Sequence, residues 1–216
     1  MAKKKAKTGK KPEISLQSTV HSPFYSQERW KNWLEQVKEC GFELKEDEDP
    51  GDSGKIFVTM EDDIILACLK IISKFDNNTL TADGAFDALN EIKTIVLKPL
   101  DPISDSIDLM LDSLQTSLIA VFVSCECYFD GAFDRSAELT PLIKSALEAE
   151  EADDPGSAIS YIAAIGASVL AGAELPEDVV SEMPYGLVAE WIDGIDSIAA
   201  AMVGDDSYKY DEPDDE

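Results

Sequence analysis

The sequence predicts an all-α fold, a compact bundle of about six to seven helices. Most segments place apolar residues three and four positions apart, which is the period of an amphipathic helix. Residues that start or stop helices flank those segments. Only "KIFVT", Lys55 to Thr59, has the composition of a short strand, so at most one strand is expected. A chain of 216 residues can bury a core that needs no metal or disulfide.

The first helix is predicted within "FYSQERWKNWLEQVKECGFEL", residues 24–44. Ser26 is a favourable N-cap, and Gly41 lies where a left-handed helix stop is expected. Between them, four apolar residues follow the i, i+3, i+4, i+7 pattern: Trp30, Trp33, Leu34 and Val37. The two tryptophans could form a ligand-stacking pair, but a stripe packed on other helices explains them with fewer assumptions.

The second helix is predicted in "MEDDIILACLKIISKF", with Thr59 as its N-cap and Asp76 to Asn78 as its stop. Apolar residues cover most of its circumference, so it is expected at the centre of the bundle. Thr81 is predicted to cap the third helix, which ends before Pro99 because proline cannot continue it.

The fourth helix is predicted to start at Asp101 and Pro102, a cap followed by proline at the first helical position, and to run to Phe129. Three more helices are expected near Leu139 to Glu151, Ser157 to Ala171 and Gly186 to Val203.

Three segments are predicted to be unstructured: the basic residues 1–22, the charged residues 45–54 and the acidic residues 205–216. The all-α domain is therefore expected to span 23–204, and a subdivision near 130–136 stays open.

Two expectations concern packing. Five large apolar residues should be largely buried in one helical assembly: Trp30, Trp33, Ile65, Leu69 and Phe122. Three small residues spaced four apart share one helix face and should let another helix, or a second copy of the chain, approach closely: Ala163, Ala167 and Ala171.

Charge is distributed unevenly along the chain. There are 18 Lys and Arg against 44 Asp and Glu, a net charge of −26. Six of the lysines nevertheless fall within the first eleven residues: Lys3, Lys4, Lys5, Lys7, Lys10 and Lys11. The anionic body repels nucleic-acid phosphates, so nucleic acid is not an expected partner except through this lysine-rich segment. The segment could instead aid solubility or contact the body transiently.

A row of aspartates on the predicted fourth helix is the strongest candidate for chemistry. At 100° per residue, four carboxylates fall within about 60° of one another: Asp101, Asp105, Asp108 and Asp112. Such a row would suit an all-α enzyme that uses Mg²⁺ to act on a phosphorylated small molecule. A solvated face is the other interpretation, because aspartates are favoured at a helix N-terminus. Further along, Glu126 would need a partner or a proton if it were buried.

No catalytic, cofactor-binding or metal-binding residue is assigned. The single histidine, His21, lies in the basic segment, which removes His-based triads and His-liganded zinc. The sequence contains neither a P-loop nor a GxGxxG motif. The cysteines form no CxxC pair and are interpreted as reduced core residues: Cys40, Cys68, Cys125 and Cys127.

The protein is expected in the cytoplasm. No apolar run of a secretory signal follows the N-terminal lysines. The nearest approach to a membrane span is Ser157 to Ala173, whose 17 uncharged residues include many small ones between acidic flanks. This composition favours a buried helix over a span.

Two segments resemble a known family. The stretch "FYSQERWKNWLEQVKE", followed by a short acidic linker and "MEDDIILACLKII", is similar to uncharacterised proteins from methanogenic and related archaea, a domain of unknown function. The resemblance covers roughly Phe24 to Phe129 and, more loosely, the rest. It implies an archaeal cytoplasmic protein and supplies no activity, cofactor or site residue.

These observations favour a non-enzymatic interaction or scaffold protein, with a protein partner or a second copy of itself and no membrane association. The alternative is the Mg²⁺-dependent enzyme that would use the aspartate row.

Overall fold

The computed structural model describes residues 23–44 and 51–204, and it contains eight α-helices and no strand within those ranges. In chain order the helices are α1 (Gln27–Glu39), α2 (Gly51–Asp76), α3 (Ala82–Val96), α4 (Asp105–Asp130), α5 (Leu139–Glu151), α6 (Pro155–Leu170), α7 (Glu177–Ser181) and α8 (Leu187–Gly204). The all-α prediction is confirmed. The short α7 is the helix that the sequence did not predict. The predicted unstructured residues 1–22, 45–50 and 205–216 lie outside the described ranges.

Local signals place several helix ends where they were predicted. The Ser26 hydroxyl accepts a hydrogen bond from the Arg29 amide at 3.1 Å and caps α1. Gly41 follows the end of that helix with a φ of +64°, which a glycine adopts without strain. The Thr81 hydroxyl accepts from the Gly84 amide at 3.2 Å and caps α3.

The one short strand that the sequence allowed, at Lys55 to Thr59, does not form, because these residues are the second turn of α2. Thr59 is not an N-cap: its hydroxyl donates to the Lys55 carbonyl oxygen at 2.9 Å inside the helix. Phe57 and Met60 are buried and extend the apolar stripe of the helix by one more turn. Burial of this stripe outweighs the strand preference of a five-residue segment. The last four residues of the predicted 45–54 linker are likewise helical.

The predicted start of α4 at Asp101 and Pro102 is also wrong. The helix begins at Asp105, and the Ser104 hydroxyl caps it by accepting from the Ile107 amide at 3.4 Å. Asp108 reaches back, and its Oδ1 accepts from the Ile103 amide at 2.9 Å. These reciprocal bonds satisfy two amides at the helix start, so they fix the boundary after Pro102.

The central helix of the bundle is α4, which contacts α2, α3, α6 and α8. It runs parallel to α2, because Ser117 bonds to Glu61 while Tyr128, further along, donates to Asp76 at 3.0 Å. Buried apolar residues from α1 to α8 form one continuous cluster.

Two glycines bring α6 and α8 close to α4. A Cβ added at Gly166 on α6 would overlap the buried Ser124 side chain, and one added at Gly194 on α8 would overlap the Ser117 carbonyl group. The close approach of α6 inside the bundle is at Gly166, which is not one of the three predicted alanines. Of those, Ala167 is fully buried, while Ala163 and Ala171 are half-buried.

Four of the five predicted core residues are at most 4 % exposed: Trp30, Ile65, Leu69 and Phe122. Trp33 is only half-buried, and its indole N–H donates to Asp63 Oδ2 at 2.7 Å. Among the described residues, one helix is long and apolar enough to cross a membrane. It is α4, the core helix of the bundle. The segment Ser157 to Ala173, which was predicted to be a buried helix, contains most of the shorter apolar α6, and half of the residues of α6 are buried.

Candidate interaction surface

The structure does not keep the four predicted aspartates on one helix. Asp101 lies in the loop before α4, while Asp105 and Asp112 are exposed on the helix. Asp108 is half-buried and engaged with the Ile103 amide. Within residues 23–44 and 51–204, no group of three or more His, Cys, Asp or Glu side chains could hold a metal ion.

Glu126 and the cysteines have structural surroundings. The Glu126 side chain is 29 % exposed and forms an ion pair with Lys93 on α3. Cys68 and Cys125 are buried free thiols on α2 and α4, and contact with Cys125 together with burial raises the pKa of Cys68. No Cys-based site follows from this arrangement. His21 lies outside the described residues.

A shallow groove of about 400 Å³ lies between the start of α1 and the end of α3. Six residues line it: Gln27, Lys93, Thr94, Ile95, Leu97 and Lys98. The groove has two cationic side chains, Lys93 and Lys98, and the charge of Lys93 is neutralised by its ion pair with Glu126.

A polar cluster locks α1 onto α2. Asp63 on α2 accepts hydrogen bonds from Arg29 Nε at 2.8 Å and from the Trp33 indole at 2.7 Å, and it forms an ion pair with the Arg29 guanidinium. The buried Tyr25 hydroxyl lies close to Asp63 but forms no hydrogen bond of regular geometry with a described residue. Burial and the nearby Asp63 charge raise the pKa of Tyr25, so the phenol stays neutral. The two segments that carry the family resemblance are therefore tied together by this cluster.

A second polar cluster joins α2, α4 and α8. The Ser117 hydroxyl on α4 donates to Glu61 on α2. Burial raises the pKa of Glu61, the Ser117 hydrogen bond opposes this shift, and the charges of Asp62 and Asp193 add to it. Asp193 belongs to α8, so carboxylates from two helices repel one another here.

The same repulsion continues along α8. Burial raises the pKa of Asp193, and the neighbouring charges of Asp196 and Glu190 raise it further. These carboxylates lie on the solvent-facing side of α8, which we call the outer face of α8. Its five residues are exposed or half-buried: Glu190, Asp193, Asp196, Ala200 and Val203.

The outer face of α8 has its acidic residues in the first half of the helix and an apolar residue at its C-terminal end. Val203 is 89 % exposed there, and Leu187, in the first turn of α8 but on another side of the helix, is 37 % exposed. Tyr185, just before the helix, is 90 % exposed, and its hydroxyl donates to Glu190 at 3.1 Å.

Cations are missing from the sequence around this face. Residues 145–204 contain twelve Asp and Glu and no Lys or Arg. The two ion pairs between described residues, Arg29–Asp63 and Lys93–Glu126, lie on other helices. Within residues 23–44 and 51–204, the structure therefore shows no Lys or Arg in an ion pair with a carboxylate of the outer face.

A tertiary cap fixes the orientation of α8. Glu150 near the end of α5 accepts hydrogen bonds from the Leu187 amide at 2.6 Å and the Val188 amide at 3.3 Å. Gly186 permits this approach, because an added Cβ would lie 2.8 Å from Glu150 Oε1. The anionic outer face is thus presented by a rigidly attached helix.

Sequence reasoning assigned no role to this surface. The detectable signals were the acidic spacing of Glu190, Asp193 and Asp196 and the run of sixty residues without a cation. The proximity of Glu61 to Asp193 has no sequence signal, because tertiary packing creates it.

Comparison with known proteins gives a family but no activity. No curated protein and no solved structure matches the chain. A family model matches residues 23–211, which is most of the chain and more than the range over which the resemblance was evident. The chain therefore belongs to the family described as an uncharacterised protein conserved in archaea, DUF2150.

Proposed function

We propose that the protein is a non-enzymatic cytoplasmic interaction or scaffold protein that binds a basic protein partner through the outer face of α8. The single observation that carries this proposal is the acidic stripe of α8, in which Asp193 and Asp196 are exposed and Glu190 is half-buried, within a sequence, residues 145–204, that has no Lys or Arg.

Binding of a cationic segment would relieve the repulsion among Glu190, Asp193 and Asp196. Opposite charge steers association and sets specificity, while burial of apolar surface supplies affinity. The exposed Val203 at the C-terminal end of the stripe provides such apolar surface. A partner with lysines or arginines flanked by apolar residues fits both features.

The charge argues against other partner classes. Nucleic acid and the anionic membrane leaflet both repel a carboxylate stripe. Contact with either would have to use the lysine-rich residues 1–11.

A Mg²⁺-dependent enzyme acting on a phosphorylated small molecule remains the alternative, with less support. Asp101 lies outside α4, and Asp108 already accepts a backbone hydrogen bond. The groove beside α3 is shallow and has no carboxylate in its lining.

Affinity purification from archaeal lysate tests the proposal when parent and variants are compared. The variant E190Q/D193N/D196N removes the charge of the outer face. D83N/D87N/E91Q removes the same charge from three exposed carboxylates on α3 and serves as the matched control.

A stoichiometric partner should be captured by the parent and the control, lost with the α8 variant, and released by 0.5 M NaCl. Equal capture by both variants would contradict the assignment of the surface. A partner that resists salt would contradict the electrostatic basis of binding.

A further inference from the structure

We propose that the lysine-rich residues 1–22 bind the outer face of α8 in the same molecule and compete there with the protein partner. This inference rests on the proposed function, and it adds a regulatory element carried by the chain itself.

Charge complementarity selects this occupant. Residues 1–22 carry six lysines and one acidic residue, Glu13, and no other segment of the chain has such a density of cations. The outer face of α8 lies within sixty residues that have twelve carboxylates and no cation. The segment also contains apolar residues, Ile14, Leu16 and Val20, after its lysines. It therefore matches the partner chemistry that the face requires.

The segment joins the fold at α2, one of the helices that contact α8. Phe24 lies under the Lys74 ammonium, with the nitrogen 5.7 Å from the ring centroid, and Tyr25 is buried beside Asp63. Glu61, whose charge interacts with Asp193 on α8, lies two residues before Asp63 and therefore points about 160° away from it on α2. The segment has to pass around α2 to reach the outer face of α8, so its length decides whether it can bind there.

The length of the segment does not limit its reach. At roughly 3.3 Å per residue, 22 extended residues span about 70 Å. The 26-residue α2 is only about 39 Å long at 1.5 Å per residue. A short tether also holds its end at an effective concentration in the millimolar range, so weak electrostatic contacts are sufficient for binding within one molecule.

The electrostatics of the face support the same conclusion. The pKa values of Asp193 and Glu61 are raised by burial and by neighbouring carboxylates. A lysine ammonium within ion-pair distance would stabilise the charged carboxylates.

The family match begins at residue 23, so residues 1–22 are additional to the matched domain.

Carbodiimide cross-linking followed by mass spectrometry tests the contact, because the reagent joins amines to carboxylates at zero length. In low salt, lysines of residues 3–11 should link to Glu190, Asp193 or Asp196 in the monomer band, and 0.5 M NaCl should abolish the links. Links distributed equally over Asp83, Asp87 and Glu91 would overturn the proposal. Links found only in a dimer band would also overturn it, because they would assign the face to a second copy.

A peptide of residues 1–22 tests competition independently. A fluorescent form should bind the variant with all six lysines changed to Gln at least tenfold more tightly than it binds the parent, whose face is occupied. Adding E190Q/D193N/D196N should abolish peptide binding, while adding D83N/D87N/E91Q should preserve it. Equal binding to the parent and the six-Gln variant would contradict autoinhibition.

Partner capture separates this inference from the proposed function. The six-Gln variant should capture more of the basic partner than the parent does. If capture depends on the outer face but not on the lysines, only the present inference fails. If the E190Q/D193N/D196N variant captures the partner as well as the parent does, the proposed function is contradicted.

Discussion

Gly166 lies at the closest approach of α6 to α4, where a side chain has no room. Its missing Cβ leaves space for the Ser124 side chain, which is fully buried and donates to the Ala120 carbonyl oxygen at 2.6 Å. Because Ser124 cannot move toward solvent, this single position controls the distance between two helices.

Replacing Gly166 with Ala should destabilise the fold by about 1–3 kcal/mol, because overpacking forces the backbones apart. Urea unfolding measures the change. Gly156→Ala is the matched control near the start of α6, where an added Cβ would lie 3.5 Å from Asp154 Oδ1, an ordinary contact. The control should be neutral or slightly stabilising, since alanine favours a helix. Equal free energies of unfolding for the two variants would show that α6 does not depend on this contact.

At the scale of the element, local signals predicted helix ends only where they acted alone. Ser26 and Thr81 cap their helices as expected, since each stands directly before the segment with helical apolar spacing. Two helix starts were missed because local signals competed. The composition of "KIFVT" suits a strand, and only the tertiary burial of Phe57 and Met60 makes it helical. Both Pro102 and Ser104 are suitable residues for a helix start. The hydrogen bond from the Ile103 amide to Asp108 stabilises the start that Ser104 caps.

The start of α8 was predicted at Gly186, within one residue of the observed Leu187, but its cap was not predicted, because the cap comes from another helix. Glu150 lies 37 positions before Leu187 in sequence, and no local pattern connects them. The acidic outer face of α8 also depends on tertiary structure. Its carboxylates can be read from the sequence, but their exposure cannot.

Removing the tertiary cap should loosen α8 from its N-terminus. We expect Glu150→Ala to cost about 1–2 kcal/mol, similar to the loss of an N-cap, because two backbone amides lose their acceptor. Glu150→Gln should cost less, since its carbonyl oxygen still accepts. Glu148→Ala, at an exposed position on the same helix, makes the same charge change and serves as the control. Hydrogen exchange of the Leu187 and Val188 amides should accelerate only in the Glu150 variants, and unchanged exchange there would refute the cap.

At the scale of the whole molecule, charge divides the chain. In residues 23–98 the acidic excess is moderate, with sixteen acidic and nine basic residues. In residues 99–204 there are twenty acidic residues and two basic ones. Such a distribution destabilises the compact state through self-repulsion, while it gives the half that contains α8 a strong field for cationic partners.

The response to salt distinguishes this global repulsion from a specific metal site. If the aspartates of α4 form a solvated face, NaCl and MgCl₂ at equal ionic strength should raise the melting temperature by similar amounts, because screening needs no coordination geometry. Asp112→Asn should stabilise by a few tenths of a kcal/mol, since it removes an i, i+4 repulsion with Asp108. Asp101→Asn makes the same charge change outside the helix and should have a smaller effect. A gain that requires millimolar Mg²⁺, disappears in the Asp112 variant and accompanies phosphate release from a nucleotide panel would instead establish the Mg²⁺-dependent enzyme.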